Sequence, residues 1–267
     1  MTQDTHLLEV SGVTVQFGGL VAVDNVSFNV QRGELLGLIG PNGAGKTTAM
    51  RSITGVVKPV AGRVVLNGKD ISNLPVHQRI RKGLSLSQQL VRPFREISIL
   101  DNVALAAGSR YTQSPLKALL HVSAQAERTR ARDMLERVGI AHLADQMPGI
   151  QPLGVLKRME MARALALDPE LLLLDEPLAG LNSKEAQTLA DTIADVNRQG
   201  VTIILIEHNL SEVMRICQRL VVLDNGRKIA SGAPRDVMAQ PNVRAAYLGA
   251  ESTEASNTAT ETGDAHA

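Results

Sequence analysis

Nine residues near the start of the chain read Gly40-Pro41-Asn42-Gly43-Ala44-Gly45-Lys46-Thr47-Thr48. They match G-x-x-x-x-G-K-[ST], the pattern of a phosphate-binding loop. The apolar run 35–39 before them predicts a buried strand, and 47–54 after them predicts a helix that Gly55 ends in a left-handed turn. Because strand, loop and helix come in the required order, a glycine-rich turn with a chance lysine is a poor explanation. We therefore expect the chain to bind a nucleoside triphosphate.

The loop also predicts what its residues do. Glycines let the backbone bend until consecutive N–H groups point at one anion. The N-terminus of the following helix adds its partial positive charge at the same point. We expect Lys46 to reach the β- and γ-phosphates and the Thr47 hydroxyl to ligate Mg²⁺.

Composition argues against several classes of protein. At 267 residues the chain is long enough to bury a full core, in one domain or in two closely joined lobes. Its net charge of +1 creates no strong field toward nucleic acid or anionic lipid, and its 2% of aromatic residues argue against base-stacking surfaces. The lone Cys217 suits a reducing compartment. With no signal peptide and no apolar run that could span a bilayer, we expect a soluble, cytoplasmic protein whose membrane role needs a partner.

The first part of the chain predicts an antiparallel sheet. Segments 7–17 and 21–30 alternate apolar and polar residues, as half-buried strands do. Further on, Asn67-Gly68 between the stretches 63–66 and 69–71 is a strong hairpin signal. Phe17 lies in the turn between the first two strands. From its spacing alone, the ring could equally stack on a nucleotide base or close the end of the sheet.

The middle of the chain predicts helices. Residues 76–82 predict a short basic helix, and a strand-like stretch then reaches Ser87-Gln88-Gln89. Segments 97–107 and 116–138 then have helical periodicity, which predicts a helical lobe inserted into an α/β domain. The second of them carries Arg128, Arg130 and Arg132. This cluster is most simply a solvated helix face, with a partner contact as the less favoured alternative.

The second half returns to alternating helices and strands. Segment 154–167 predicts a helix with Met159 in the core, and 171–176 predicts a buried parallel strand that ends in two carboxylates. Segment 201–206 predicts another buried strand, followed by Glu207 and His208. The alternation predicts an open α/β sheet.

Local signals mark the ends of the remaining elements. Asn182 with Glu185 can form a capping box for a helix over 183–198. The pair Asn225-Gly226 predicts a second hairpin. After Gly249 the residues are Ser, Thr, Ala and acidic types without apolar periodicity, so we expect a disordered tail.

Polar groups follow two of the buried strands. Ligands of open α/β sheets bind beyond the carboxyl ends of the strands, where the phosphate loop also lies. Asp175 is expected to contact Mg²⁺, directly or through water, because this ion takes hard oxygen ligands. Glu176 can face the attacking water as general base, and His208 is a candidate γ-phosphate contact. A helix cap or surface charge is the alternative for the carboxylates, and a structural histidine is the alternative for His208.

These motifs resemble the ATP-binding subunits of ABC transporters in order and spacing. More narrowly, the chain is similar to the ATP-binding subunits of branched-chain (hydrophobic) amino-acid importers over residues 7–250. The stretches that carry this narrower resemblance are Phe17-Gly18-Gly19-Leu20, Phe94-Arg95-Glu96, Ala179-Gly180-Leu181-Asn182, Leu205-Ile206-Glu207-His208-Asn209, Gly232-Ala233-Pro234, Gln240-Pro241-Asn242-Val243 and Ala246-Tyr247-Leu248-Gly249.

The resemblance implies a fold and its divisions. The fold is an α/β, P-loop ABC ATPase cassette with an antiparallel β subdomain and an inserted helical subdomain. The ATP-binding domain would span 1–250, with the helical subdomain at about 90–160 and a family-type C-terminal segment at about 230–250. The tail 251–267 lies beyond it.

The resemblance also implies ligands, partners and place. The ligands would be ATP and Mg²⁺, with Phe17 stacking on adenine and Gln89, five residues before Phe94, sensing Mg²⁺ and the attacking water. Such subunits work as dimers, each ATP held between one phosphate loop and the other subunit's signature helix. Two integral membrane permease subunits and a periplasmic or extracellular solute-binding protein complete the complex, with no nucleic acid. The subunit would lie peripherally on the cytoplasmic face of the inner (plasma) membrane.

One motif departs from the family. The signature Leu-Ser-Gly-Gly-Gln should precede the helix that begins near Gly154, but the chain reads Gln151-Pro152-Leu153-Gly154-Val155. A proline suits the first turn of a helix, yet Pro152 lacks the hydroxyl and the N–H that would face the partner's γ-phosphate. Losing one or two such donors weakens a transition state by about 3–4 kcal/mol. We therefore hypothesise an asymmetric heterodimer.

Other functions compete with a transport ATPase that couples hydrolysis to amino-acid uptake. A non-transport ABC ATPase would carry a long coiled-coil insertion or a tandem cassette, and this chain has neither. A regulatory module that never hydrolyses ATP is supported by the degenerate signature and opposed by Glu176 and His208. A lipid or lipopolysaccharide exporter subunit is a nearer alternative, and the ending Ala-Tyr-Leu-Gly argues against it.

Overall fold

The computed structural model describes residues 6–87, 93–108 and 124–248. Gln89, the segment 116–123 and the tail 251–267 lie outside these ranges. The predicted domain limits remain predictions.

The first sheet is antiparallel and has strand order β2-β1-β4-β5. Its strands are β1 (His6–Phe17), β2 (Leu20–Gln31), β4 (Ala61–Leu66) and β5 (Lys69–Asp70). Between β2 and β4 in the chain lies β3 (Leu35–Ile39), which belongs to the second sheet. The two-residue connection of β4 and β5 has Asn67 at φ 51° and Gly68 at φ 69°, as the Asn-Gly signal predicts. The predicted antiparallel sheet is confirmed.

The second sheet is mostly parallel and carries β3 in its interior, with order β10-β9-β3-β8-β7-β6. Its other strands are β6 (Leu84–Ser87), β7 (Leu171–Asp175), β8 (Thr202–Ile206), β9 (Arg219–Asp224) and β10 (Arg227–Gly232). All pairs are parallel except the β9–β10 hairpin. The carboxyl ends of β3, β7 and β8 therefore open on the same edge, where the predicted site residues lie.

Helices connect and cover these strands. They are α1 (Lys46–Thr54), α2 (Val76–Arg81), α3 (Ile99–Gly108), α4 (Ala124–Arg137), α5 (Leu153–Ala166), α6 (Ser183–Arg198), α7 (Leu210–Ile216) and α8 (Pro234–Ala239), with a last helical stretch at 241–248. Gly55 ends α1 at φ 81°, as predicted, and the Asn182–Glu185 capping box forms at α6. These ends follow from local chemistry: a residue without Cβ, and two side chains that satisfy free N–H groups.

The core has two parts, one on each face of the second sheet. Leu172 and Leu174 pack with the helices α3 to α6, whereas Leu171 and Leu173 pack with the antiparallel sheet and α1. Met159 is fully buried in the first part, as expected. Because successive strand residues point to opposite faces, a continuous apolar run is what a sheet covered on both sides requires.

The arginine cluster of α4 is only partly a solvated face. Arg132 is exposed, as predicted. Arg128, however, pairs with Asp101 of α3 at 2.7 Å, and Arg130 lies 3.5 Å from Asp168. All four side chains of these pairs keep solvent access, so they orient the helices and contribute little stability.

Candidate functional site

The phosphate loop is held by the backbone of two hairpins. A Cβ at Gly40 would lie 2.0 Å from the carbonyl oxygen of Leu223 in β9, and one at Gly45 would lie 2.5 Å from that of Ala22 in β2. Gly45 also has φ 93°, a conformation that side chains disfavour. In addition, the Gly226 N–H donates to the Ala44 carbonyl over 3.2 Å. The loop can therefore keep this close packing only with glycine at both positions.

Lys46 is buried inside the loop. Its Nζ donates to the carbonyl oxygens of Gly40 and Pro41 over 2.8 and 2.9 Å. Burial lowers the pKa of this ammonium, and the nearby carboxylates of Glu176 and Asp175 act in the opposite direction. Lys46 thus places a positive charge at the start of α1, with the carboxylates of Asp175 and Glu176 nearby. This arrangement suits a polyphosphate that carries a metal ion.

Asp175 and Glu176 follow β7 but have different environments. Asp175 is the last residue of the strand, and its Oδ1 is buried without a hydrogen-bond partner. Burial, and secondarily the charge of Glu176, raises the pKa of its carboxyl. Glu176 lies just outside the strand at φ 50°, a left-handed conformation that is rare for a residue with a side chain. Backbone strain of this kind occurs often at functional sites.

Glu176 and His208 lie side by side. The His208 Nε2 is 2.9 Å from Oε1 of Glu176, so the two side chains share a hydrogen bond. The carboxylate is mostly covered, whereas the ring is about half exposed. Both line one cleft with Ala22 and the phosphate loop from Asn42 to Thr48. The carboxyl ends of β7 and β8 thus bring Glu176 and His208 to the phosphate loop.

The donors beside the loop fit Mg²⁺. Thr47 lines the cleft, and Asp175, with its partnerless Oδ1, is near enough to Lys46 for their charges to interact. Both side chains offer the hard oxygen atoms that Mg²⁺ prefers. Within the described ranges, no group of three or more His, Cys, Asp or Glu side chains could hold a metal. That result is compatible with Mg²⁺, which is commonly held by one or two protein oxygens together with water and phosphate.

Asp175→Asn is expected to stabilise the protein while it weakens Mg²⁺-dependent nucleotide binding. A folded-state pKa above the ordinary value means that folding disfavours the ionised carboxylate. At neutral pH, the amide should raise the free energy of unfolding by about 1 kcal/mol. This gain should shrink as the pH falls through the raised pKa, because the wild-type carboxyl then becomes neutral. Denaturant unfolding of both proteins at neutral and acidic pH tests it, and a variant less stable than wild type at neutral pH would contradict it.

Two further predicted site residues are Phe17 and Gln89. Phe17 ends β1 opposite Leu20, and its side chain is half exposed at the turn end of the β1–β2 hairpin. Among described residues, Ala22 of the same hairpin lines the cleft and Phe17 does not. Gln89 lies outside the described residues. The roles of Phe17 and Gln89 therefore remain predictions.

The degenerate signature begins α5. Pro152 precedes the first helical residue and provides no side-chain hydrogen bond to the helix, so the expectation that it lies in the first turn is off by one position. Pro152 and Leu153 are exposed, Gly154 is buried, and Gln151 bonds to Gln146 through its side chain. Among the described cleft-lining residues there is none from 151–155. Val155, where the family has glutamine, is partly buried.

Three further side chains contact the site, and the sequence did not identify them. Lys157 of α5 donates to the Glu176 carbonyl over 3.3 Å, and Glu207 accepts from the Leu178 N–H over 2.5 Å. Tyr247 receives a backbone hydrogen bond from Gly40, while burial raises the pKa of its phenol to about 12. Only Glu207 carried a signal, as a carboxylate at the end of an apolar strand.

Comparisons with known proteins agree with this geometry. The model of the ABC transporter family matches residues 23–179, and that of the branched-chain amino acid ATP-binding cassette transporter matches 227–253. The high-affinity branched-chain amino acid transport ATP-binding protein LivG of Salmonella typhimurium is 40% identical, over 91% of this chain and 98% of LivG. The lipopolysaccharide export system ATP-binding protein LptB of Escherichia coli is 34% identical, over 91% and 97%.

Solved structures give the same assignment. MJ1267, an ATP-binding cassette of an ABC transporter, in its ADP conformation matches with a TM-score of 0.80 and 30% identity, over 91% of this chain and 99% of that one. No helix in the described part of the chain is long and apolar enough to cross a membrane. The chain therefore belongs to the ABC transporter family of ATP-binding proteins, in the group that carries the branched-chain amino acid transporter segment at its C-terminal end.

Proposed function

We propose that the chain is the ATP-hydrolysing subunit of an ABC importer that takes up branched-chain or other hydrophobic amino acids, or a related small polar solute. The observation that carries the hydrolytic part is the contact between Glu176 and His208 over 2.9 Å, in the same cleft as the phosphate loop. The solute class is supported by the similarity to LivG and by the C-terminal segment.

Each residue of the cleft has a separate role in the reaction. The loop N–H groups and Lys46 bind the phosphates, which requires Lys46 to exchange its bonds to Gly40 and Pro41 for phosphate oxygens. Glu176 takes the proton of the attacking water. His208 holds the Glu176 carboxylate in place and contacts the γ-phosphate from its exposed side.

Mg²⁺ would be held by Thr47 and Asp175, with Gln89 sensing it, and when bound it neutralises the charge that develops on the phosphates. The protein keeps Asp175 ready for this role at a cost, since one oxygen of its carboxylate, Oδ1, is buried without a partner. Phe17 would stack on the adenine.

We propose an asymmetric heterodimer with a second ATP-binding subunit. One site would combine this chain's loop, Glu176 and His208 with the partner's signature, and it would be fully active. The opposite site would be completed by Gln151 to Val155 of this chain and would turn over slowly, because proline supplies neither hydroxyl nor N–H.

Two integral membrane permeases and a solute-binding protein would complete the importer. The permeases would hold this subunit at the cytoplasmic face of the inner (plasma) membrane. A lipopolysaccharide export subunit is the competing function, and the similarity to LptB supports it. The match of 227–253 to the branched-chain amino acid transporter model favours import.

Uptake by cells tests the proposal. A deletion strain carrying the wild-type chain should take up one of a panel of labelled solutes: leucine, isoleucine, valine, urea, short amides or aromatic acids. The same strain carrying Glu176→Gln should not, because permease reorientation requires hydrolysis. Expression of both proteins is checked by immunoblotting. Normal uptake of the whole panel in the deletion strain, together with an altered lipopolysaccharide surface, would favour the export function instead.

A further inference from the structure

The backbone of Glu176 is held from behind by a buried lysine. Glu176 adopts φ 50°, and its carbonyl oxygen accepts from the Ala179 N–H over 3.2 Å and from the Lys157 Nζ over 3.3 Å. Lys157 is only 7% exposed. Since a left-handed residue with a side chain persists only where its surroundings fix it, these two donors help to set the direction of the Glu176 side chain.

The buried carboxylate of Glu207 fixes the backbone beside His208 in a similar way. Glu207 is 4% exposed, and its Oε1 accepts from the Leu178 N–H over 2.5 Å while Oε2 accepts from the His208 N–H over 3.2 Å. It therefore joins the segment just after Glu176 to the residue that carries the imidazole. With the Glu176–His208 side-chain bond, these contacts form a closed ring of hydrogen bonds and chain segments.

The two buried charges interact. Burial raises the pKa of Glu207 and lowers that of Lys157, and each group's charge opposes the other's shift. Glu176 is the other charged group acting on both of them. Each of these opposite charges offsets part of the cost of burying the other, and in this sense the two residues form a unit.

The unit also connects two sites. Lys157 lies one turn beyond the signature residues 153–155 on α5, the helix whose first turn would meet the partner's nucleotide. Any displacement of α5 must move the donor that fixes the Glu176 carbonyl.

We propose that Lys157 and Glu207 are positioning residues that hold Glu176 and His208 in reacting alignment and make this alignment depend on the position of α5. The inference rests on the proposed role of Glu176 in hydrolysis. It assigns a function to two buried charges whose hydrogen bonds, within the described part of the chain, go to Glu176, Leu178 and His208.

The test uses the assembled complex with its cognate ATP-binding subunit. Lys157→Met keeps the buried stem without the charge, and Glu207→Gln keeps the shape. Each is expected to lower kcat by about 10- to 100-fold, as small misplacements of catalytic groups do, with the nucleotide Kd unchanged. Lys157→Arg should restore most of the rate, because it returns a cation with N–H donors. The matched controls Lys228→Met and Glu136→Gln replace exposed residues and should match wild type.

The double variant Lys157→Met/Glu207→Gln removes both charges together and guards against misfolding of the single variants. The double variant should fold, and its kcat should be no lower than that of the less active single variant, because the two residues act as a unit. Wild-type kcat in the folded double variant would overturn the inference. So would a parallel loss of kcat and nucleotide affinity, which indicates general damage. If the wild-type complex hydrolyses no ATP, the proposed function itself is contradicted. This outcome differs from the two above because it is seen without any substitution.

Discussion

In the assembled complex, Glu176→Gln is expected to reduce ATP hydrolysis by about 10²–10⁴-fold, the range that a general base contributes. Nucleotide binding should be retained, because the loop, Lys46 and Thr47 are untouched. Glutamine keeps the size of glutamate and can still bond to His208, but it cannot accept the proton of the attacking water. The measurement is steady-state phosphate release beside fluorescent-nucleotide binding.

The size of this loss should depend on which subunit carries the substitution. If the active site is the one built on this chain's loop, Glu176→Gln removes nearly all turnover of the complex. The equivalent change in the partner would affect only the site that Pro152 already impairs, so the rate should fall little. Equal losses from the two substitutions would contradict the asymmetric arrangement.

Pro152→Ser tests the second nucleotide site of the proposed heterodimer, the one at the partner's phosphate loop. It should return a hydroxyl and an N–H at the start of α5, and thus raise turnover at the partner's loop. Hydrolysis that survives Glu176→Gln should therefore increase when Pro152→Ser is added to the same chain. The double variant isolates the second site, because the first can no longer turn over. No increase would show that Pro152 is not what limits that site.

The parts of the site that sequence could predict are those fixed by local chemistry. The phosphate loop, the Asn225-Gly226 turn and the capping box at Asn182 each need particular residue types at short spacing. The confirmed strands follow in the same way, because an apolar run such as Leu171–Asp175 suits only a strand covered on both faces. Glu176 was predicted from its place after such a strand.

The parts that sequence could not predict depend on partners distant in the chain. Lys157 finds the Glu176 carbonyl 19 residues away, and Glu207 finds Leu178 at a separation of 29 residues. In a helix that also carries partly exposed charged residues such as Arg158 and Arg163, a buried lysine has the same local signature as one in solvent. Only the contact of Lys157 with the carbonyl that follows β7 reveals the difference.

Arg79 is a similar case with larger consequences for stability. The short basic helix that contains it was predicted, but nothing local separates Arg79 from Arg81. In the structure Arg79 is 2% exposed, whereas Arg81 is exposed. Its guanidinium donates to four carbonyls, over 2.7–2.8 Å: those of Ser52, Ile53, Ser72 and Leu74.

We expect Arg79→Met to lower the free energy of unfolding by about 3–5 kcal/mol, since each buried carbonyl left without a partner costs about 1–3 kcal/mol. Two of those carbonyls lie in the last turn of α1, where the positive charge also interacts favourably with the negative end of the helix dipole. For a domain of this size the melting temperature should fall by roughly 10 °C. The melting temperature of Arg79→Lys should lie between those of the wild type and Arg79→Met, because one ammonium cannot reach four oxygens.

Arg81→Met on the same helix is the matched control, and it should change the melting temperature little. Because Arg79 lies at the end of α1 away from the phosphate loop, nucleotide affinity measured well below the melting temperature should be close to wild type. The prediction thus separates the residue that holds α1 in place from those at its other end that bind phosphate. Equal melting temperatures for Arg79→Met and Arg81→Met would show that the carbonyls find other partners, and that this buried cation contributes nothing that methionine cannot.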